Sequence, residues 1–65
     1  MNITLNGTPH TTQATTIAVL VAEIALNTRQ AAIERNCEIV PKSTYDNAVL
    51  CEGDVIEVVA FVGGG

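Results

Sequence analysis

Few residues in this chain could do chemistry, and the most unusual of them stand at its end. The sequence closes on Phe61-Val62-Gly63-Gly64-Gly65, an apolar strand run straight into three glycines. A glycine run is ordinarily a linker or a frayed tail. Here it is either leftover flexible tail or the place where the protein works. The other candidates are scattered. His10 has no serine or cysteine evident beside it, and no metal spacing with Cys37 or Cys51. The carboxylates form no recognisable acid–base pair. Two cysteines are too few for a disulfide framework, and a reducing compartment would keep them as thiols, although one bridge between them is not excluded by spacing. Both read as small apolar residues of the interior, because free cysteine is among the most buried types. A persulfide-holding role is the sharper alternative.

The elements that must position the chain end follow from patterning. Ile3 and Leu5 alternate with Asn2, Thr4 and Asn6, giving a short half-buried strand. Asn6-Gly7 is a strong hairpin signal, since both residues tolerate positive φ. "TPHTTQ" is the expected return strand, and Pro9, which lacks an N–H, places it at an edge. Thr16 is a candidate N-cap for a helix with Ile17, Leu20, Val21 and Ile24 on one stripe and Asn27 as the expected C-cap. Ala18, Val19, Ala22, Ala25 and Leu26 on the other side read as alanine-rich filler rather than a second contact surface.

"AAIERNCEIV" reads as a second hairpin, with Ile33 inward and Asn36-Cys37 where Asn-Gly would be expected. A cysteine there must accept strain or impose a different turn. Pro41 stops the returning strand. Ser43-x-x-Asp46 suggests a cap on a short helical turn, with Tyr45 anchored in the core. Ala48-Val49-Leu50 is a predicted short strand, Glu52-Gly53-Asp54 a tight turn, and Val55–Val62 the last strand. Hairpin, helix, then further strands make an α+β pattern.

Glu57 fixes the register of that last strand. If it faces solvent, Val55, Val59 and Phe61 share its side, while Ile56, Val58, Ala60 and Val62 face the helix. Val59 and Phe61 are then either covered by the loop from Thr44 to Asn47 or left as an apolar patch that marks a protein contact.

Bulk properties narrow the function. A chain of 65 residues, 48% hydrophobic, makes one small domain with little room for an enclosed active site. A net charge of −4 and a pI near 4.5, with only Arg29, Arg35 and Lys42 as fixed cations, argue against nucleic acid and against an anionic membrane surface. The N-terminus "MNITLNGTPH" has no secretory pattern, and Ile17 to Leu26 is too short to span a bilayer. The expectation is a cytoplasmic binding or carrier domain.

At this point the residues carry a resemblance. "FVGGG" after the acidic strand "EGDVIEVV", the early "NG" hairpin, "TI..LV" opening the helix and "EIVPKS" in the middle are together similar to the thiamin-biosynthesis sulfur carrier (ThiS) family. The likeness covers essentially the whole chain. It is strongest at the terminal Gly-Gly and over "EIVPKSTYDNAVLCEGDVIEVV". It implies the ubiquitin-like β-grasp fold: one helix packed across a mixed sheet of four to five strands, a body over residues 1–62, and a flexible glycine tail at 63–65. It also implies a carrier rather than an enzyme, with no bound cofactor. In the family the terminal glycine carboxylate is adenylated by an ATP-using, ThiF-like enzyme and converted to a thiocarboxylate. Its sulfur, supplied by a cysteine desulfurase, passes to a thiazole synthase.

Carried over residue by residue, the reacting carboxylate is that of Gly65, Gly64 completes the terminal pair, and Gly63 is a spacer. Val59, Phe61 and Val62 are the expected partner contacts. Glycine suits a narrow channel because it lacks a Cβ, and three residues extend at most about 10 Å. Cys37 and Cys51 match no functional position of the family. Two other readings remain beside this one: a related carrier for molybdopterin or cysteine synthesis, and a non-covalent β-grasp interaction module.

Overall fold

The computed structural model describes residues 1–27 and 29–60, Ala60 by its backbone. Seven elements follow in order: β1 Asn2–Leu5, β2 Thr8–Thr11, α1 Ile17–Glu23, β3 Ala31–Arg35, β4 Glu38–Ile39, a 3-10 turn Lys42–Thr44, and β5 Val55–Ala60. The five strands form one mixed sheet in the order β2-β1-β5-β3-β4. The last strand therefore lies at the centre, parallel to β1 and antiparallel to β3. β2 is an edge strand, as Pro9 requires. This is the expected α+β arrangement of one helix across a mixed sheet.

The two hairpins are built alike. Asn6 and Gly7 have φ of 51° and 77°, and Asn36 and Cys37 have φ of 51° and 73°. Two successive left-handed residues match the right-handed twist of the flanking strands. Cys37 thus accepts the strain of a glycine position instead of changing the turn. Its side chain and that of Cys51 are free and exposed, which corrects their reading as interior residues.

α1 packs its stripe as expected. Ile17, Leu20, Ile3, Ile33 and Ile56 are almost wholly buried, joined by Ala14, Val40, Tyr45 and Leu50 in one cluster. Burying each of the large aliphatic side chains contributes about 1.5–3 kcal/mol. The Tyr45 anchor is present, although its hydroxyl has no partner among the described residues. At the helix start the Thr16 hydroxyl accepts from Val19 N–H. Val19, by contrast, is half exposed on the far side.

The helix ends earlier than Asn27. Ile24 is the C-cap, and Ala25 takes a left-handed φ of 54°. Leu26 N–H donates to Val21 C=O and Ala25 N–H to Ala22 C=O, the paired bonds of a Schellman ending. Leu26 and Val21 both pack against the core, so burial of the segment after the helix sets its end. Asn27 instead makes the next turn, accepting through its side chain from Arg29 N–H.

Three other expectations are corrected. Ala48-Val49-Leu50 is not a strand: Val49 makes one isolated antiparallel bridge to Thr16. No side chain caps the 3-10 turn; Pro41 precedes it, and the Thr44 hydroxyl donates back to Pro41 C=O. The return strand stops at Thr11, short of Gln13: Thr12 exchanges backbone hydrogen bonds with Met1, and its hydroxyl donates to Glu23.

Ala25 and Cys37 both hold positions that glycine occupies without a Cβ penalty, worth about 1 kcal/mol or more for an L-residue. Ala25→Gly and Cys37→Gly should therefore each raise the thermal midpoint of the domain. A lowered midpoint in both variants, followed by circular dichroism, would show that the turns are not strained.

A small polar cluster ties β2 to the end of α1. Glu23 Oε1 accepts from the Thr12 hydroxyl at 2.7 Å and lies 3.2 Å from His10 Nε2. His10 therefore does not stand alone. The Thr12 hydroxyl first, and His10 second, hold the Glu23 carboxyl below its ordinary value of 4.5. A group whose pKa is lowered by folding stabilises the fold above its unfolded value, and that contribution disappears as pH falls through the folded value. Glu23→Gln should thus flatten the loss of stability below pH 4.5. An unchanged acid limb in urea unfolding would refute the assignment.

Candidate functional site

The candidate site is the end of β5 and the sheet face beside it, because that strand runs directly into residues 61–65. The register follows the alternation expected from Glu57. Ile56 is fully buried and Val58 packs on the core, while Val55 and Val59 are 39% and 36% exposed on the opposite side. The loop from Thr44 to Asn47 therefore leaves Val59 uncovered. Phe61, Val62, Gly63, Gly64 and Gly65, also named from sequence, lie outside the described residues.

β5 is held along its length by both hairpin turns. The Asn36 N–H donates to Val55 C=O at 2.8 Å, and its side-chain oxygen accepts from Val55 N–H at 2.9 Å. On the other flank the β1–β5 ladder stops at Leu5 and Ile56. Asn6 then continues it: its N–H donates to Ile56 C=O and its Oδ1 accepts from Val58 N–H at 2.7 Å. A side-chain amide thus replaces a strand residue just where β1 turns away. These two asparagines were read from sequence only as turn formers. Their second role needed the register of β5 between them.

The start of β5 is fixed by Asp54, which is buried. One carboxylate oxygen accepts from Asn36 Nδ2 at 3.2 Å and the other from Cys51 N–H at 2.9 Å. Neighbouring Glu52 accepts through both oxygens from Asn2 N–H. The acidic "EGD" turn is therefore structural, a joint between the two hairpins rather than an acid–base site.

On the outer face, cross-strand pairing places Glu34 opposite Glu57, Ala32 opposite Val59, and Ile39 opposite Glu34. The face is apolar with two carboxylates at its middle, a juxtaposition invisible until three strands are set in register. Arg35 pairs with Ile56 on the inner side, and its Nη1 donates to Val49 C=O at 2.7 Å. Among the described residues no three His, Cys, Asp or Glu side chains converge on a metal position. None of the described helices is long and apolar enough to cross a membrane. What the geometry supports is presentation: a central strand with a partly apolar outer face, whose sequence continues into residues 61–65.

Comparison with known proteins agrees with that geometry. A sequence model of the ThiS family matches residues 3–65. The sulfur carrier protein ThiS of Bacillus subtilis is 48% identical over 50 residues, which is 77% of this chain and 76% of that protein. A thiazole synthase of Paramagnetospirillum magneticum is 42% identical over 66 aligned positions, and one of Magnetococcus marinus is 46% identical. Each of these two alignments takes in the whole chain but only 20% of the synthase, so the chain spans about a fifth of those relatives' length. The crystal structure of a thiamine biosynthesis protein (ThiS) from Geobacter metallireducens superposes with a TM-score of 0.87 at 28% identity, covering all of both chains. With the family's sequence pattern running from β1 through the last glycine, and its sheet and helix reproduced, the chain belongs to the ThiS family.

Proposed function

We propose that this chain is a sulfur carrier of thiamin biosynthesis whose working group is the Gly65 carboxylate. The observation that carries the reading is the family match itself, which includes the three terminal glycines. An α-carboxylate has a pKa around 3.5 and at neutral pH is an anion, a poor electrophile. Transfer of AMP from ATP, with release of pyrophosphate, turns its oxygen into a leaving group. A sulfur nucleophile at the oxidation level of sulfide then adds to the carbonyl, and the bond to the AMP oxygen breaks. The product is a thiocarboxylate, and AMP departs.

In this reading ATP belongs to a ThiF-like adenylating enzyme, and sulfur comes from a cysteine desulfurase. The desulfurase persulfide is brought to the sulfide level by a thiol reductant that becomes a disulfide, and a thiazole synthase accepts the sulfur. The chain holds no cofactor and performs no step alone; it is a cosubstrate. Val59, Phe61 and Val62 are the contacts that seat the body while Gly63 and Gly64 thread the end. Ordering three glycines costs on the order of 1–2 kcal/mol each, so body contacts must supply the binding energy. The reading is tested by sulfur transfer. Chain charged with isotopically labelled sulfur should pass the label to the thiazole product when a thiazole synthase and its other substrates are added. Label that stays on the chain, or leaves only as free sulfide, would contradict it.

A further inference from the structure

Glu34 and Glu57 are unused by the chemistry above, and their placement is unfavourable in the isolated domain. They stand directly opposite one another on β3 and β5, both half-buried. Cross-strand partners hold their Cβ atoms about 5 Å apart, and like charges so placed oppose folding. Among the described residues neither carboxylate has a hydrogen-bond or ion-pair partner. Arg35, next to Glu34 in sequence, is engaged on the inner side by Val49 C=O.

Their surroundings are apolar and open. Ile39 is 58% exposed beside Glu34, and Val55 and Val59 flank Glu57 along β5. The patch is continuous with the strand that leads into the glycine end, so whatever receives that end meets this face. Two relatives say what that is. In the Paramagnetospirillum and Magnetococcus thiazole synthases, the region similar to this chain and the remaining four-fifths are one polypeptide. Covalent joining of that kind keeps two surfaces at high effective concentration.

We propose that the face formed by Ile39, Glu34, Glu57 and Val59 docks on a thiazole synthase, which places an arginine or lysine cation across the two carboxylates. The proposal rests on the sulfur-carrier reading for its choice of partner. A guanidinium presents a planar fork of donors that can engage two carboxylates at this separation. The aliphatic rim of Ile39, Val55 and Val59 would exclude water from that contact and strengthen it. The same cation removes the repulsion that the free domain bears. This explains why two acids can face each other on a surface otherwise suited to apolar packing.

The test uses the full chain and a thiazole synthase from the same organism, with affinity measured calorimetrically at low and high salt. Glu34→Gln combined with Glu57→Gln keeps both side-chain shapes and removes both charges. Wild-type binding should weaken as salt rises. The double variant should bind at least about tenfold more weakly and lose most of that salt dependence. Its melting temperature should equal or exceed that of the wild type, which separates lost docking from lost folding. Equal affinity of the two proteins would overturn the proposal, as would wild-type chain that does not bind the synthase. Intact mass of the wild-type chain after treatment with ATP, the adenylating enzyme and a sulfur source is read in parallel. An uncharged chain that nevertheless shows the expected binding pattern would refute the sulfur-carrier reading and leave the docking face standing.

Discussion

Replacing Ile33 by alanine is expected to lower the unfolding free energy by about 2–5 kcal/mol. Ile33 has no solvent exposure, sits at the middle of β3 opposite Val58, and joins the sheet to the α1 stripe in a single cluster. A domain of 65 residues has roughly 3–10 kcal/mol to lose, and small cores lie toward the low end. Much of the population should therefore be unfolded at room temperature. Ile33→Val removes one methylene and should cost only about 0.5–1.5 kcal/mol. Val59→Ala, on the exposed face of the same sheet, should stay within about 0.5 kcal/mol of wild type. Urea unfolding followed by far-ultraviolet circular dichroism ranks the three. If Val59→Ala proved as costly as Ile33→Ala, the assignment of inner and outer faces of β5 would be wrong, and the docking surface with it.

Gly64→Ala is expected to slow adenylation by about a hundredfold while leaving the melting temperature unchanged. The expected effect is steric. In the proposed function the end of the chain enters a partner's channel with its carboxylate at the reacting phosphorus, and a displacement of an ångström there can cost about 10²-fold. A Cβ at Gly64 both widens the thread and removes backbone conformations open only to glycine. The core cluster and the side chains packed on it run from Ile3 to Val58, so the melting temperature is expected to hold. Single-turnover adenylation with a ThiF-like enzyme measures the effect, and a normal rate would refute the steric account. A residue appended after Gly65 should be more severe, since it removes the reacting carboxylate altogether.

The parts of the molecule governed by local rules were legible in the sequence. Alternation around Glu57 placed Ile56 inward and Val55 and Val59 outward, and Pro9 marked an edge strand. Thr16 capped the helix as its type suggests. What failed was decided by tertiary packing. Propensity favours Asn27 over Ala25 as a left-handed residue, yet packing of Leu26 on the core draws the helix end forward. Ala48-Val49-Leu50 has a strand's composition but meets only Thr16, so one bridge is all it can form. His10 and Glu23 belong to different elements, 13 residues apart, and meet only once β2 is set against the end of α1. The candidate site divides the same way. Its glycine end was readable as a motif and its apolar face as a period. The Glu34–Glu57 pair and the asparagine clamps on β5 depend on register across three strands, which no local pattern encodes.

In the proposed function the chain works through the carboxylate of its last glycine. The most direct measurement is intact mass with fragmentation after incubation with ATP, a ThiF-like adenylating enzyme and a sulfur source. The account predicts one oxygen replaced by one sulfur, confined to the fragment that carries Gly65, and no such change when ATP is withheld. An unchanged mass in a system that charges another ThiS protein, or sulfur found on Cys37 or Cys51 instead, would contradict it.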